Sequence, residues 1–284
     1  MSHDMAGKTV VITGASSGIG AIAARRIAGL GATVVPVGRS RAATAAIAAE
    51  VGSEPLTADY SRLSDVRALA GQLLERYPAI DVLAHNAGGL YGDRRVTEDG
   101  HELTMQVNYF APFLLQHLLS DRLSACGTHV IVTSSLAHWL GRIDATDLDF
   151  ATRRYSGSAA YFASKLADLL FAREIARRTP DTKITAVTFH PGGVRSAIGR
   201  EASGMLSVTY NTPLGRRFLI DEDKGAEPLV HLASLADPAS VNGQYFNRLK
   251  PGAPISKRAG DVRLGMVLWE RTENLLGLPR SAVR

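Results

Sequence analysis

Along this chain, short runs of consecutive apolar residues, rich in valine and isoleucine, alternate with longer stretches whose apolar positions recur every three or four residues. The first pattern predicts strands buried on both faces; the second predicts amphipathic helices packed over them. The predicted strands are Thr9–Thr13, Thr33–Val37, Glu54–Thr57, Asp81–Asn86, His129–Thr133, Ile184–Phe189 and Gly243–Phe246. Helices are predicted at Ile19–Leu30, Ala42–Val51, Leu63–Tyr77, Leu103–Leu119, Ala159–Arg178 and Gly225–Leu235. The tail Arg263–Gly277 returns to helical periodicity through Leu264, Val267, Leu268, Leu275 and Leu276. This alternation predicts one α/β domain over residues 1–284, a doubly wound seven-stranded parallel sheet with helices on both faces.

Two stretches break the rhythm. Leu140–Ser158 is a polar excursion before the longest helix, and Arg195–Asp223 mixes Gly, Pro and apolar residues. Long loops inside a compact domain are usually functional, and both of these follow strand C-termini, where open α/β sheets bind ligands. The segment at about 195–223 is therefore expected to cover the substrate. Its Met205, Leu206, Val208 and Tyr210 suit either a lid or the packing of a short helix.

Composition narrows the function. The 45% hydrophobic and 21% charged content is that of an ordinary globular protein. No apolar stretch reaches the length of a membrane span, and Met1–Lys8 is too short and polar for a signal peptide, so a cytoplasmic location is expected. The net charge of +5 arises from 26 Arg and 6 Lys against 27 acids. The arginines are scattered as pairs such as Arg25-Arg26 and Arg177-Arg178, without an aromatic-interleaved basic tract, so no nucleic-acid partner is expected. The single cysteine, Cys126, excludes an intramolecular disulfide, and the eight histidines show no metal-ligand spacing, so no metal is expected.

Three groups of residues carry candidate chemistry. The first is Thr13-Gly14-Ala15-Ser16-Ser17-Gly18-Ile19-Gly20, between the first strand and the first helix. Such a turn lets phosphates approach the backbone and offers them a helix N-terminus; a turn with no ligand is the alternative. The second is Tyr161 and Lys165, one helical turn apart on one face. The lysine's ammonium is expected to favour the phenolate and so lower the Tyr161 pKa towards the range useful for proton transfer. The third is Ser135 at a strand C-terminus facing the same crevice, where its hydroxyl meets either the substrate or local backbone.

With these landmarks in order, the chain resembles a short-chain dehydrogenase/reductase over almost its whole length. The matching residues are Thr13-Gly14-x-x-x-Gly18-x-Gly20, Asp59, His85-Asn86-Ala87-Gly88, Asn108, Ser135, Tyr161-x-x-x-Lys165 and His190-Pro191-Gly192. Softer cues place it with the retinol-dehydrogenase-like, NADP-dependent branch. They are Val107-Asn108-Tyr109-Phe110, Ser135-Leu136-Ala137-His138, Arg154-Tyr155-Ser156-Gly157, and Leu268-Trp269-Glu270 with Leu276-Gly277-Leu278-Pro279.

The resemblance implies a Rossmann-type domain and a division of labour. It makes Tyr161 the general acid, Lys165 the ligand of the nicotinamide ribose, Ser135 a partner of the substrate oxygen, and Asn108 the holder of a water joining Lys165 to solvent. Gly14, Ser16, Ser17, Gly18, Ile19 and Gly20 would cradle the pyrophosphate, and Asp59 and Tyr60 would stand by the adenine end. Asn86, Ala87 and Gly88 would line the cofactor's middle, with Asn86 equally suited to tying strand ends together. Pro191, Gly192 and Val194 would pass the nicotinamide.

The second strand gives the cofactor preference. Enzymes choosing NAD usually carry an acid there, whereas this chain has Val37-Gly38-Arg39-Ser40, with Arg39 suited to a 2′-phosphate and Ser40 and Arg41 as helpers. NADP(H) is expected. His138-Trp139 forms either a wall of the substrate pocket or a packed aromatic corner. The substrate expected is a lipophilic aldehyde, ketone or corresponding alcohol.

Other classes fit less well. A nucleophilic hydrolase is a weak fit, since Ser135 stands in no Gly-x-Ser-x-Gly elbow and has no obvious His partner. A catalytically silent nucleotide-binding protein would not need Asn108, Ser135, Tyr161 and Lys165 together, and all four are present. Relatives often assemble through the helices beginning near Leu103 and Ala159, beside the Leu140–Ser158 excursion, so both monomer and homo-oligomer remain open.

Overall fold

The strand residues alternate between two cores because successive side chains leave a strand on opposite faces. In the computed structural model, which describes residues 4–194, 212, 217 and 219–280, Val11, Leu83, Val130 and Val132 join one apolar cluster. Val10, Ile12, Val82, Ala84 and Ile131 join the other. The strands are β1 (Thr9–Thr13), β2 (Thr33–Gly38), β3 (Leu56–Thr57), β4 (Val82–His85), β5 (His129–Thr133), β6 (Thr185–His190) and β7 (Tyr245–Asn247). They form one sheet in the order β3-β2-β1-β4-β5-β6-β7. Every pairing is parallel.

On one face lie α1 (Gly18–Ala28), α2 (Arg41–Glu50) and α8 (Glu222–Ala233), packed on the second cluster. On the other lie α3 (Leu63–Arg76), α5 (Ala111–Leu118), α7 (Gly157–Arg178) and α9 (Val262–Leu275). The chain leaves β1 towards β2 and later returns to β4 on its other side. This reversal of strand order opens a crevice at the strand C-termini beside β1.

One predicted helix is resolved differently. Leu103–Leu119 contains a short α-turn, α4 (Leu103–Met105), a π-helical turn over Gln106–Phe110, and α5. Pro112 has no N–H to give the carbonyl of Asn108 four residues earlier, and its ring crowds that carbonyl, so the helix widens there. A further helix, α6 (Ser120–Cys126), ends at Gly127 in the left-handed region (φ 66) and was not foreseen.

The excursion before α7 is an ordered connector. The Asp147 carboxylate accepts bonds from Ala151 N (2.6 Å) and Thr152 Oγ1 (2.9 Å), and the Arg153 guanidinium lies 3.7 Å from the centre of the Phe150 ring. Tyr155 Oη donates to Glu102 Oε1 (3.0 Å), and Arg94 Nε donates to the Phe150 carbonyl. The expected substrate cover at 195–223 lies almost wholly outside the described residues. Among the described residues, no helix is long and apolar enough to cross a membrane.

Candidate active site

The crevice is braced by one threonine and one asparagine. Thr13 Oγ1 donates to the Ala84 carbonyl (3.1 Å) and accepts from Asn86 N and Ala87 N, both at 3.0 Å. Asn86 Nδ2 donates to the Thr13 carbonyl (3.0 Å), and its Oδ1 accepts from Thr133 Oγ1 (3.3 Å). Asn86 therefore ties the ends of β1, β4 and β5, the structural alternative raised for it, while still facing the crevice.

The turn after β1 packs against this brace so closely that a Cβ on Gly20 would come within 2.6 Å of Asn86 Nδ2. Only backbone fits, which leaves the N-terminus of α1 open to the crevice. That first turn carries no acidic residue, and its first N–H groups have no acceptor within the helix. This is the geometry that receives a phosphate group.

The crevice encloses about 510 Å³. Apart from the helpers Ser40 and Arg41, every residue predicted to hold cofactor lines it, from Arg39, Asp59 and Tyr60 through the glycine-rich turn to Pro191, Gly192 and Val194. At the end formed by β2, a Cβ on Gly38 would lie 2.7 Å from Ser16 Cβ and closer still to Thr44 Oγ1. No acidic side chain fits in place of Gly38. Ser40, an expected helper of Arg39, caps α2 by accepting from Ala43 N (3.4 Å). Asp59 Oδ1 accepts from Ser61 N (2.9 Å) and Ser61 Oγ (2.8 Å), which fixes the turn after β3.

At the other end, Ser135, Tyr161 and Lys165 meet. Ser135 ends the turn after β5 and caps a 3-10 turn over Leu136–Trp139, its Oγ accepting from Ala137 N (3.2 Å). The Tyr161 phenol projects from the first turns of α7 into the same crevice. Burial pushes the Tyr161 pKa up to about 12; the Ser135 hydroxyl opposes this and the nearby Asp168 carboxylate adds to it.

This corrects the expectation that Lys165 lowers the tyrosine. Lys165 Nζ instead donates to Asp168 Oδ2 (2.8 Å) and to the Thr133 carbonyl (3.1 Å), and stands 5.8 Å from the centre of the Tyr161 ring. Its charge is largely neutralised by a partner that the sequence reading passed over. The signal was there: an acid one turn beyond Lys165 in a helix whose neighbouring positions are apolar.

Asn108 sits in the π-helical turn, beside the crevice and outside its lining. Its Oδ1 accepts from Gly89 N (2.7 Å), and its Nδ2 donates to the Gly89 carbonyl (2.9 Å) and Ser164 Oγ (2.9 Å). The amide thus fixes the strand-end loop against α7. His138 is fully buried, its Nδ1 2.7 Å from the Ser135 carbonyl and its ring edge-on to Tyr245 at 5.0 Å, and Trp139 is half exposed. Neither lines this crevice: His138 packs in a corner with Tyr245, and Trp139 stands at the surface. Tyr91 and Glu222 do line it and were not singled out from sequence.

Comparisons with known proteins agree with this geometry. The family model described as short chain dehydrogenase matches residues 8–206. A Streptomyces protein (strain C5) named "Putative daunorubicin C-13 ketoreductase DnrU" is 43% identical over 278 residues, covering 95% of this chain and 93% of its own. Human retinol dehydrogenase 13 is 36% identical over 289 residues, covering 98% of this chain and 87% of that protein. A solved, uncharacterised protein from Mycobacterium paratuberculosis superposes with a TM-score of 0.79 at 33% identity, over 98% of this chain and 96% of that one.

Proposed function

The chain belongs to the short-chain dehydrogenase family, in its retinol-dehydrogenase-like branch, and from that premise we propose that it is an NADPH-dependent reductase of a lipophilic aldehyde or ketone, able to oxidise the corresponding alcohol, with Tyr161 as its acid/base. The observation that carries this reading is that Ser135, Tyr161 and Lys165 line one crevice together, with Lys165 one turn along from Tyr161 on the same helix wall.

The residues present fit a nicotinamide dinucleotide. A glycine-only passage at Gly20, an open helix N-terminus, and Arg39 beside a position closed to acids suit a pyrophosphate and a 2′-phosphate. Gly14, Ser16, Ser17, Gly18 and Ile19 would frame the pyrophosphate, and Pro191, Gly192 and Val194 the nicotinamide. The bound cofactor supplies a hydride.

The chain's own residues do the rest. Ser135 orients the substrate oxygen by a hydrogen bond. Tyr161 gives its phenolic proton to that oxygen, and its raised pKa keeps that proton in place at neutral pH. Lys165 keeps a donor available at the crevice wall for a ribose hydroxyl. Among the relatives, one is named for ketone reduction and others for retinol dehydrogenation, which supports a carbonyl/alcohol pair as the substrate class.

The test follows loss of reduced-nicotinamide absorbance with NADPH against a panel of aldehydes and ketones, beside Tyr161→Phe. Turnover that vanishes in the variant is the expected result. Tight NADPH binding with no turnover of any panel member would favour a binding protein instead, and absence of NADPH binding would sink the cofactor assignment.

A further inference from the structure

A buried carboxylate in the middle of an apolar helix costs stability unless it has a task, because burial penalises its charged form. Asp168 is such a group. It lies in α7 one turn beyond Lys165, with Leu166, Ala167, Leu169 and Leu170 buried around it. The side chains of Lys165 and Asp168 are only 5% and 3% exposed, and the two meet at 2.8 Å. Lys165 lines the crevice, whereas Asp168 stands behind it. An ammonium has three N–H donors. Two are taken, by Asp168 and by the Thr133 carbonyl, which leaves one for whatever occupies the crevice.

The surroundings leave Asp168 one cation to act against. On its own helix it faces Lys165 and the Tyr161 phenol; from the π-helical turn it faces Tyr109, whose hydroxyl lies 3.0 Å from Thr272 Oγ1 of α9. The next acids along this packing layer have other partners. Glu174 accepts from Arg177 and Arg178, and Glu273 accepts from Trp269 Nε1. Burial lifts the Asp168 pKa to about 6, while Lys165 pulls it down, so the carboxylate is ionised at neutral pH and its field reaches the phenol.

We propose that Asp168 is a positioning residue for the reaction: it holds the Lys165 ammonium at the crevice wall and offsets that charge at Tyr161, so that the phenol keeps its proton and serves as donor in carbonyl reduction. The proposal rests on the reductase reading above. In that reaction a hydride reaches the carbonyl carbon from the reduced nicotinamide, and the Tyr161 proton reaches the oxygen. The phenolate left behind regains a proton from water, so carbonyl, NADPH and one proton become alcohol and NADP⁺. Reduction therefore needs the protonated phenol and oxidation needs the phenolate. By raising the pH at which one gives way to the other, Asp168 extends reduction towards alkaline pH and confines oxidation to higher pH.

The test is Asp168→Asn in the full chain, which keeps the shape and a hydrogen-bond acceptor for Lys165 while removing the charge. Asp168→Glu, which restores the charge one methylene further out, runs beside it. The pH profiles of kcat/KM are measured for reduction with NADPH and for oxidation with NADP⁺, together with the NADPH dissociation constant. The expected result is that the alkaline limb of reduction and the rising limb of oxidation both move to lower pH by about one unit or more in Asp168→Asn. Asp168→Glu returns them towards the parent, and NADPH affinity changes less than about threefold, the ceiling of about 0.7 kcal/mol.

Profiles that superpose on the parent's, or a pH-independent loss of activity, would overturn the proposal, since a purely structural acid gives one or the other. If the parent turns over nothing in the panel, the reductase reading itself fails. Asp168 is then judged on carbon-labelled tyrosine NMR, with the Tyr161 resonance assigned by its loss in Tyr161→Phe. Onset of ionisation at lower pH in Asp168→Asn sustains the charge-offsetting role, and an unchanged onset removes it.

Discussion

At the scale of single residues, the crevice is shaped as much by side chains that are missing as by those present. Gly38 is the sharpest case, because even a methyl group there would strike Ser16 and Thr44. Gly38→Ala is expected to cost about 1–3 kcal/mol in urea denaturation, the usual penalty for overpacking. With no room for an acid, the proposed reading leaves discrimination between the two nicotinamide dinucleotides to Arg39. Arg39→Ala should raise the KM for NADPH about tenfold or more, the value of one charge-assisted hydrogen bond, and leave that for NADH nearly unchanged. Equal losses with both cofactors would remove Arg39 from the 2′-phosphate assignment.

At the scale of elements, Asn108 shows how a local irregularity is put to use. The widened turn before Pro112 lets one amide bond the Gly89 backbone twice and Ser164 once, so the loop after β4 and the helix bearing Tyr161 move as one body. Asn108→Ala strands those buried partners, and urea denaturation should show a loss of about 2–3 kcal/mol. A loss within about 0.5 kcal/mol would mean that the loop is held by other contacts.

This element also marks the limit of what was legible in the sequence. Periodicity placed every strand to within about two residues because most are buried apolar runs bounded by glycine or polar residues. The glycine turn, Ser135 and Tyr161-x-x-x-Lys165 stood out because their spacing is itself the chemistry. The π-helical turn did not, since its apolar pattern is indistinguishable from that of an α-helix over five residues. The rise in the Tyr161 pKa was hidden for another reason. It depends on burial and on which partner Lys165 chooses in three dimensions, and spacing along the helix reports neither.

At the scale of the whole molecule, α9 covers the outer face of α5 and α7. Trp269 packs edge-on against Phe113 at 4.6 Å and beside Phe171 at 6.0 Å, with the Arg178 guanidinium 4.7 Å from the centre of its ring. With that face occupied, the chain should sediment as a monomer, and a dimer in sedimentation velocity would require a different surface. Acidification should also destabilise the fold. Burial holds His85, His129 and His190 near about 4, whereas the unfolded chain titrates them near about 6.5. The unfolded state therefore binds more protons in that window, and stability falls as pH drops through it. Asp168 works in the opposite direction, one group against three, so urea midpoints should decline from about pH 6.5 towards about pH 4.

The placement of Trp269 has an optical consequence. The chain has two tryptophans, and the other, Trp139, is half exposed on the turn that begins at Ser135. One indole is thus sealed in the core while the other stands on the turn capped by Ser135. Excited selectively, the protein should emit in two components: a blue-shifted one from Trp269, insensitive to iodide quenching until the chain unfolds, and a red-shifted, quenchable one from Trp139. Trp139→Phe would leave the emission of Trp269 alone, a fluorescence gauge of folding with no contribution from the exposed indole.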